Sequence, residues 1–184
     1  MALKATIFKA ELQVSDMDRG HFATHALTLA RHPSETDERM MVRLLAFALN
    51  ADERLEFGRG LSAEDEADLT KTDLTGAIDA WIDVGLPDER RLRKAAGRAR
   101  RVTVYTYGGR AAQLWWDANT AALARLDNLC VVDLSPESTR ALADRAGRNM
   151  TVSCTIQDGH VWLAEGGDTI EITPRVLQEP TRPS

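Results

Sequence analysis

The chain is poor in cysteine. Its two thiols, Cys130 and Cys154, both fall in apolar, strand-like runs. Cysteines so placed read as buried and reduced, which speaks against a disulfide-stapled secreted scaffold. No run of about 18 apolar residues occurs, so no membrane-spanning segment is expected. The opening Met-Ala-Leu-Lys-Ala-Thr-Ile alternates like a strand and lacks the apolar block of a signal peptide. A Gly-rich phosphate loop, a nucleophile elbow and a Cys-x-x-Cys pair are all absent, as are internal repeats and low-complexity tracts. An excess of positive charge is also missing: 23 Lys and Arg against 28 Asp and Glu give a net charge of −5. Any contact with nucleic acid therefore needs a local basic patch. The expectation is a cytoplasmic globular protein.

Within 184 residues, 43% are hydrophobic and 28% charged, enough for one domain with a sizeable core. Residues 4–14 alternate, with Thr6, Phe8, Ala10, Leu12 and Val14 on one face. "HFATHALTLAR" reads as a strand or a helix, and its threonines favour a strand that closes a hairpin. "HPSETDERMMVRLLAFALN" reads as a largely buried helix with Ser34 as N-cap and acids in its first turn. A strand around "RLEFGRGLS", an acidic loop over 63–76 and a strand "AIDAWIDVG" follow. "LPDERRLRKAAGRARR" reads as a helix with Pro87 in its first turn. Strand "VTVYTY", helix "RAAQLWWDANTAALARL", strand "LCVVDL" and a helix from Ser135 to Gly147 complete an alternation that predicts parallel βαβ units. The end turns to short strands with Asp158-Gly159 and Gly166-Gly167 turns, an antiparallel meander expected to pair with the N-terminal hairpin. The predicted fold is α/β: one domain over 1–178, a mixed sheet flanked by helices with an antiparallel extension from both termini, and a flexible tail at 179–184.

Candidate chemistry concentrates in one region. On the strand at 77–84, Asp79, Trp81 and Asp83 share a face, with Ile78, Ala80, Ile82 and Val84 on the other. The two aspartates lie about 13 Å apart, too far to share one ion. Asp83, ending its strand before a turn, is the better candidate. The preceding loop carries Glu64, Asp65, Glu66, Asp68 and Asp73, hard oxygen donors of the kind Mg²⁺ takes. Glu38 leads the apolar stripe of the first helix and needs a partner or a cleft edge. Residues 90–101 hold Arg90, Arg91, Arg93, Lys94, Arg98, Arg100 and Arg101, the one basic concentration in an acidic chain. Trp115, Trp116, Tyr105 and Tyr107 read as core and groove lining; Gln113, on the same helix as Trp115 and Trp116, is a candidate polar site residue, and Gln113 and Trp81 are groove candidates. The histidines show no metal spacing, because a strand separates His21 from His25.

The stretches "MALKATIFKAEL", "LTLARHPSETDERMMVRLLAFAL", "FGRGLSAEDEADL", "IDAWIDVGLPDERRLRKA", "YTYG", "AQLWW" and "TIQDGHVWL" resemble the YaeQ family of bacterial proteins over nearly the whole chain. The resemblance implies a variant of the PD-(D/E)XK nuclease fold, a mixed sheet whose core runs α-β-β-β-α-β. It implies a magnesium site with Asp83 as second acid, Asp68 (in Ala67-Asp68) or Asp65 as first, and Glu38 as the helix acid. The lysine of the signature falls at Gly85, a departure, so Lys94 or Arg91 of the following helix would supply the cation. Arg90, Arg91, Arg93, Lys94 and Arg98 would hold DNA or RNA. Two functions follow as expectations: a Mg²⁺-dependent, nuclease-like phosphodiesterase, or a nuclease-fold protein without catalysis that binds nucleic acid or a protein partner.

Overall fold

Alternation builds the first unit. In the computed structural model, which describes residues 4–59 and 65–183, β1 (Thr6–Asp16) and β2 (His21–Arg31) form an antiparallel hairpin paired without a break from Thr6–Arg31 to Asp16–His21. The side chains of Phe8, Ala10, Leu12 and Val14 are buried, so the inward face is the one the sequence predicts. Helix α1 (Asp37–Leu49) starts two residues later than Ser34 would set it. Thr36 is the N-cap, its hydroxyl accepting from Arg39 N at 3.1 Å, while Ser34 bonds His32 instead. The later start leaves Glu35 ahead of the helix and buried.

Three strands follow in an antiparallel meander: β3 (Leu55–Phe57), β4 (Leu69–Thr72) and β5 (Ile78–Val84). Strand β4 lies inside the stretch read as an acidic loop. Helix α2 (Glu89–Arg98) is capped by Asp88, whose carboxylate accepts from Arg91 N at 2.7 Å, and Pro87 precedes the cap. The basic run is therefore not one helix: Arg100 and Arg101 belong to β6 (Ala99–Thr106), parallel to β5. Then come α3 (Arg110–Leu123), β7 (Leu129–Asp133) and α4 (Pro136–Ala143). Helix α4 ends before Gly147, on Asp144. The chain closes with β8 (Asn149–Gln157), β9 (His160–Glu165), β10 (Asp168–Ile172) and β11 (Arg175–Gln178).

The expected single sheet is two. The C-terminal meander does join the hairpin, through β8 running parallel to β1, but the result is a separate five-stranded sheet ordered β10-β9-β8-β1-β2. The other, six-stranded sheet is ordered β11-β7-β6-β5-β4-β3. One core unites the inner face of the smaller sheet, α1, Leu142 of α4, and Leu69, Ile82, Val84 and Val132 of the larger sheet. A second core, with Trp81, Leu92, Ala95, Val104, Leu123 and Val131, lies between the opposite face of the larger sheet and α2 and α3. Strand β5 is thus covered on both faces, and the face bearing Trp81 and Asp83 is buried rather than solvated. Where a flexible tail is expected, Thr181 and Arg182 donate backbone hydrogen bonds to Asp127 O, both at 2.8 Å. Among the described residues no helix is long and apolar enough to cross a membrane.

Candidate functional site

The end of β5 sets the site. Gly85 takes φ +104° and donates its N–H to Tyr105 O at 2.9 Å, turning the chain toward α2. That backbone region is strained for any residue with a Cβ, which gives a local reason for glycine at this position. From α2, Arg91 reaches back to the end of β5. Arg91 Nε donates to Asp83 Oδ2 at 2.8 Å and its Nη2 to Oδ1 at 3.0 Å, and Nη2 also reaches Glu66 O.

Asp68 and Asp83 meet, as expected. The Asp68 backbone N–H points at Asp83 Oδ1, at 3.4 Å. Both carboxylates are hydrogen-bonded by other groups. Asp68 Oδ2 accepts from Val84 N and Oδ1 from Arg39 Nη2, each at 2.8 Å. Arg39 Nη1 donates in turn to Glu35 Oε2 at 2.6 Å, and Glu35 is gripped on its other side by Arg43. The result is a connected chain of three carboxylates and three guanidiniums in which Asp83 and Asp68 are adjacent: Arg91, Asp83, Asp68, Arg39, Glu35, Arg43. Burial pushes the Asp68 carboxyl above its ordinary range, with the Asp83 charge adding and Arg39 opposing. Its bond to Asp83 raises the Arg91 guanidinium further. Half-buried Tyr107, expected as groove lining, faces this chain. Burial raises its phenol, with Arg39 opposing and Glu38, Glu35 and Asp68 adding.

These residues do not fit Mg²⁺ as arranged. Mg²⁺ takes oxygen ligands, and the guanidiniums of Arg39 and Arg91 already lie against Asp68 and Asp83, where their positive charge would repel the ion. Among the described residues no group of three or more His, Cys, Asp or Glu side chains is placed to hold a metal. The other candidates lie elsewhere. Glu38 accepts from Thr139 Oγ1 of α4 at 3.2 Å, and its neighbour Arg39 is the α1 residue that reaches Asp68. Asp65 is exposed and pairs with Lys94, so Lys94 does not reach back to Asp83; that pairing holds the Asp65 carboxyl low. Glu64 lies outside the described residues.

Beside Asp83 the surface opens into a groove of ≈ 460 Å³ along α2, lined by Asp65, Trp81, Asp88, Arg90, Arg91, Lys94, Ala95 and Arg98. Arg90, Lys94 and Arg98 recur every four residues and so share one helix face. The guanidiniums of Arg91 and Arg98 lie 5.7 and 5.3 Å from the centroid of the buried Trp81 ring. Arg93 faces away and pairs with Glu89 at 3.1 Å. Gln113 is outside this groove, bonded to Asp117. The histidine reading is corrected: β2 brings His21 and His25 together, Nε2 to Nε2 at 3.0 Å. Residues four apart on a strand share a face, and the small Ala23 between them leaves room for the rings to meet.

Fold and site together define an α/β protein of two mixed sheets, with paired carboxylates held by arginines beside a basic helical groove. The chain belongs to the YaeQ family, whose model matches residues 1–174. It is 50% identical to the "Uncharacterized protein YaeQ" of Salmonella typhi, over 98% of this chain and 100% of that protein. The Escherichia coli (strain K12) protein of the same description is 48% identical over the same shares. The crystal structure of a YaeQ protein from Xanthomonas axonopodis pv. citri superposes with a TM-score of 0.93 at 54% identity, covering 96% of this chain and 99% of the other. That of a Pseudomonas syringae YaeQ protein gives 0.91 at 34%, covering 97% and 98%.

Proposed function

We propose that the protein binds the phosphate backbone of DNA or RNA in the cytoplasm, along the α2 groove, on a nuclease-like scaffold that does not cleave. The observation that carries this reading is the alignment of Arg90, Lys94 and Arg98 on one open helix face, in a groove that also holds Arg91. A row of cations following one direction suits a chain of phosphates, and releasing counterions from that chain drives binding. The succession α1–β3–β4–β5–α2–β6 supports the nuclease-like core, with Asp68 at the start of β4 and Asp83 near the end of β5. Arg91 argues for binding over hydrolysis: it occupies Asp83 where the metal-dependent expectation needs an ion.

Fluorescence anisotropy with labelled single- and double-stranded oligonucleotides tests the reading, together with a cleavage assay in Mg²⁺. Binding that weakens when Arg90, Lys94 and Arg98 are replaced by Ala, with intact oligonucleotide recovered, supports it. Cleavage that requires Mg²⁺, or affinity unchanged in the triple variant, contradicts it.

A further inference from the structure

Just ahead of β4 the chain is tied to three cations of α2. Glu66 O accepts from Arg91 Nη2 at 2.7 Å, Asp65 O accepts from Arg98 Nη1 at 3.1 Å, and the Asp65 carboxylate pairs with Lys94. Arg91, Lys94 and Arg98 follow one another at spacings of three and four residues, so residues 65–66 meet one row of the helix. The next two residues are fixed: Ala67 is buried, and the Asp68 carboxylate accepts from Val84 N and Arg39 Nη2. Resting on the reading that this groove holds phosphates, we propose that Asp65 is a built-in competitor, a carboxylate that occupies Lys94 until a nucleic-acid phosphate displaces it.

Chemistry and exposure support this. Carboxylate and phosphate are both oxyanions, and an ammonium is a point charge that takes either. The Asp65 side chain is 74% exposed and that of Lys94 59%, so water and salt weaken their attraction and the pair can exchange. The Asp83 carboxylate, which Arg91 holds, is buried and has no such freedom. The bond from Lys94 holds the Asp65 carboxyl below its ordinary range, so it stays charged at neutral pH. Arg90, at the head of the row, is exposed and gives an arriving phosphate its first contact. Once phosphate reaches Lys94, Asp65 turns to solvent while Arg91 keeps Asp83. The plainer alternative is that Asp65 repels nucleic acid from a distance, as any surface acid does.

Fluorescence anisotropy at low salt, with labelled single- and double-stranded oligonucleotides, separates the two. Asp65→Asn should tighten binding about two- to fivefold, the range an exposed pair supports. That gain should vanish when Lys94 is already Ala, because the competition acts through Lys94. Glu89→Gln removes the same charge where α2 holds Arg93, and should change affinity less. A gain that persists in the Lys94→Ala background, a gain matched by Glu89→Gln, or no gain at all would overturn the competitor. The groove reading survives those results if the Arg90, Lys94 and Arg98 triple variant still loses binding. No binding by either the wild type or Asp65→Asn, or an affinity unchanged in the triple variant, would overturn both.

Discussion

Arg91 clamps Asp83 through two hydrogen bonds, 2.8 and 3.0 Å, reaching back from the first turn of α2 to the end of β5. The carboxylate is 2% exposed and the guanidinium 26%. A charge this deeply placed is tolerated only with a partner, so the pair fixes α2 against the sheet.

The two halves of that pair should not be equivalent. Arg91→Ala strands a buried carboxylate and is expected to cost about 3 kcal/mol. Asp83→Asn keeps an acceptor and leaves a guanidinium that can reach water, for about 2 kcal/mol. Urea unfolding checks the order through midpoints at unchanged slope. Equal losses would mean the burial of Asp83 is not what makes the pair necessary.

Asp68 carries a pH signature. Its folded carboxyl titrates above the ordinary 3.8 because burial, then Asp83, disfavour its charge. The sign follows from linkage: this contribution to stability is fully present below the unfolded value and is lost as pH rises through the folded one. Asp52 runs the other way. Burial raises it, but hydrogen bonds and charges from Lys71 and Arg54 together outweigh that and lower it, so its contribution is lost as pH falls through its folded value. Carboxyl carbon NMR should find the Asp68 midpoint above 3.8 and see it drop in Asp83→Asn. A midpoint below 3.8 in the wild type would refute the burial argument.

Gly85 should resist replacement although space surrounds it. No atom lies within 4 Å of a Cβ built there, so the cost comes from φ +104° alone. Gly85→Ala is expected to lose about 1–3 kcal/mol, read by the same urea unfolding. A neutral substitution would show that the turn can relax, and would remove the local reason for glycine at this position.

The two thiols should separate by reactivity. Burial pushes Cys154 up to about 12, and its side chain is sealed in the core. Cys130 is raised too but is half-buried. With a thiol-specific disulfide reagent at neutral pH, Cys130 should react first and Cys154 only as the protein unfolds. Early labelling of Cys154 would contradict the packing of β8.

Much of the fold is legible because periodicity is local. Strands β1, β2 and β5 and helices α1 and α3 lie close to where alternation and helical spacing put them. The misses have physical causes. Strand β4 has four residues in an acidic stretch, too few for a period to stand out. Thr36 outcompetes Ser34 as cap because His32 takes the Ser34 hydroxyl. The site was half legible. Asp68, Asp83 and Arg91 could be named, but the pairing of Arg39 with Asp68 spans 29 residues. A charge pattern counts such partners without placing them. His21 and His25 were separable on paper by the strand reading, yet the shared face and Ala23 were in the sequence to be seen.

The central claim is that phosphates run along one face of α2, and salt dependence reads that face directly. For duplex DNA, each phosphate contact contributes about 0.9 to the slope of log affinity against log salt. Arg90→Ala, Lys94→Ala and Arg98→Ala should each reduce the slope by about that amount. Arg93→Ala, on the opposite face and tied to Glu89, should leave it unchanged. A slope that falls as much for Arg93 as for Lys94, or one already near zero in the wild type, would contradict the account.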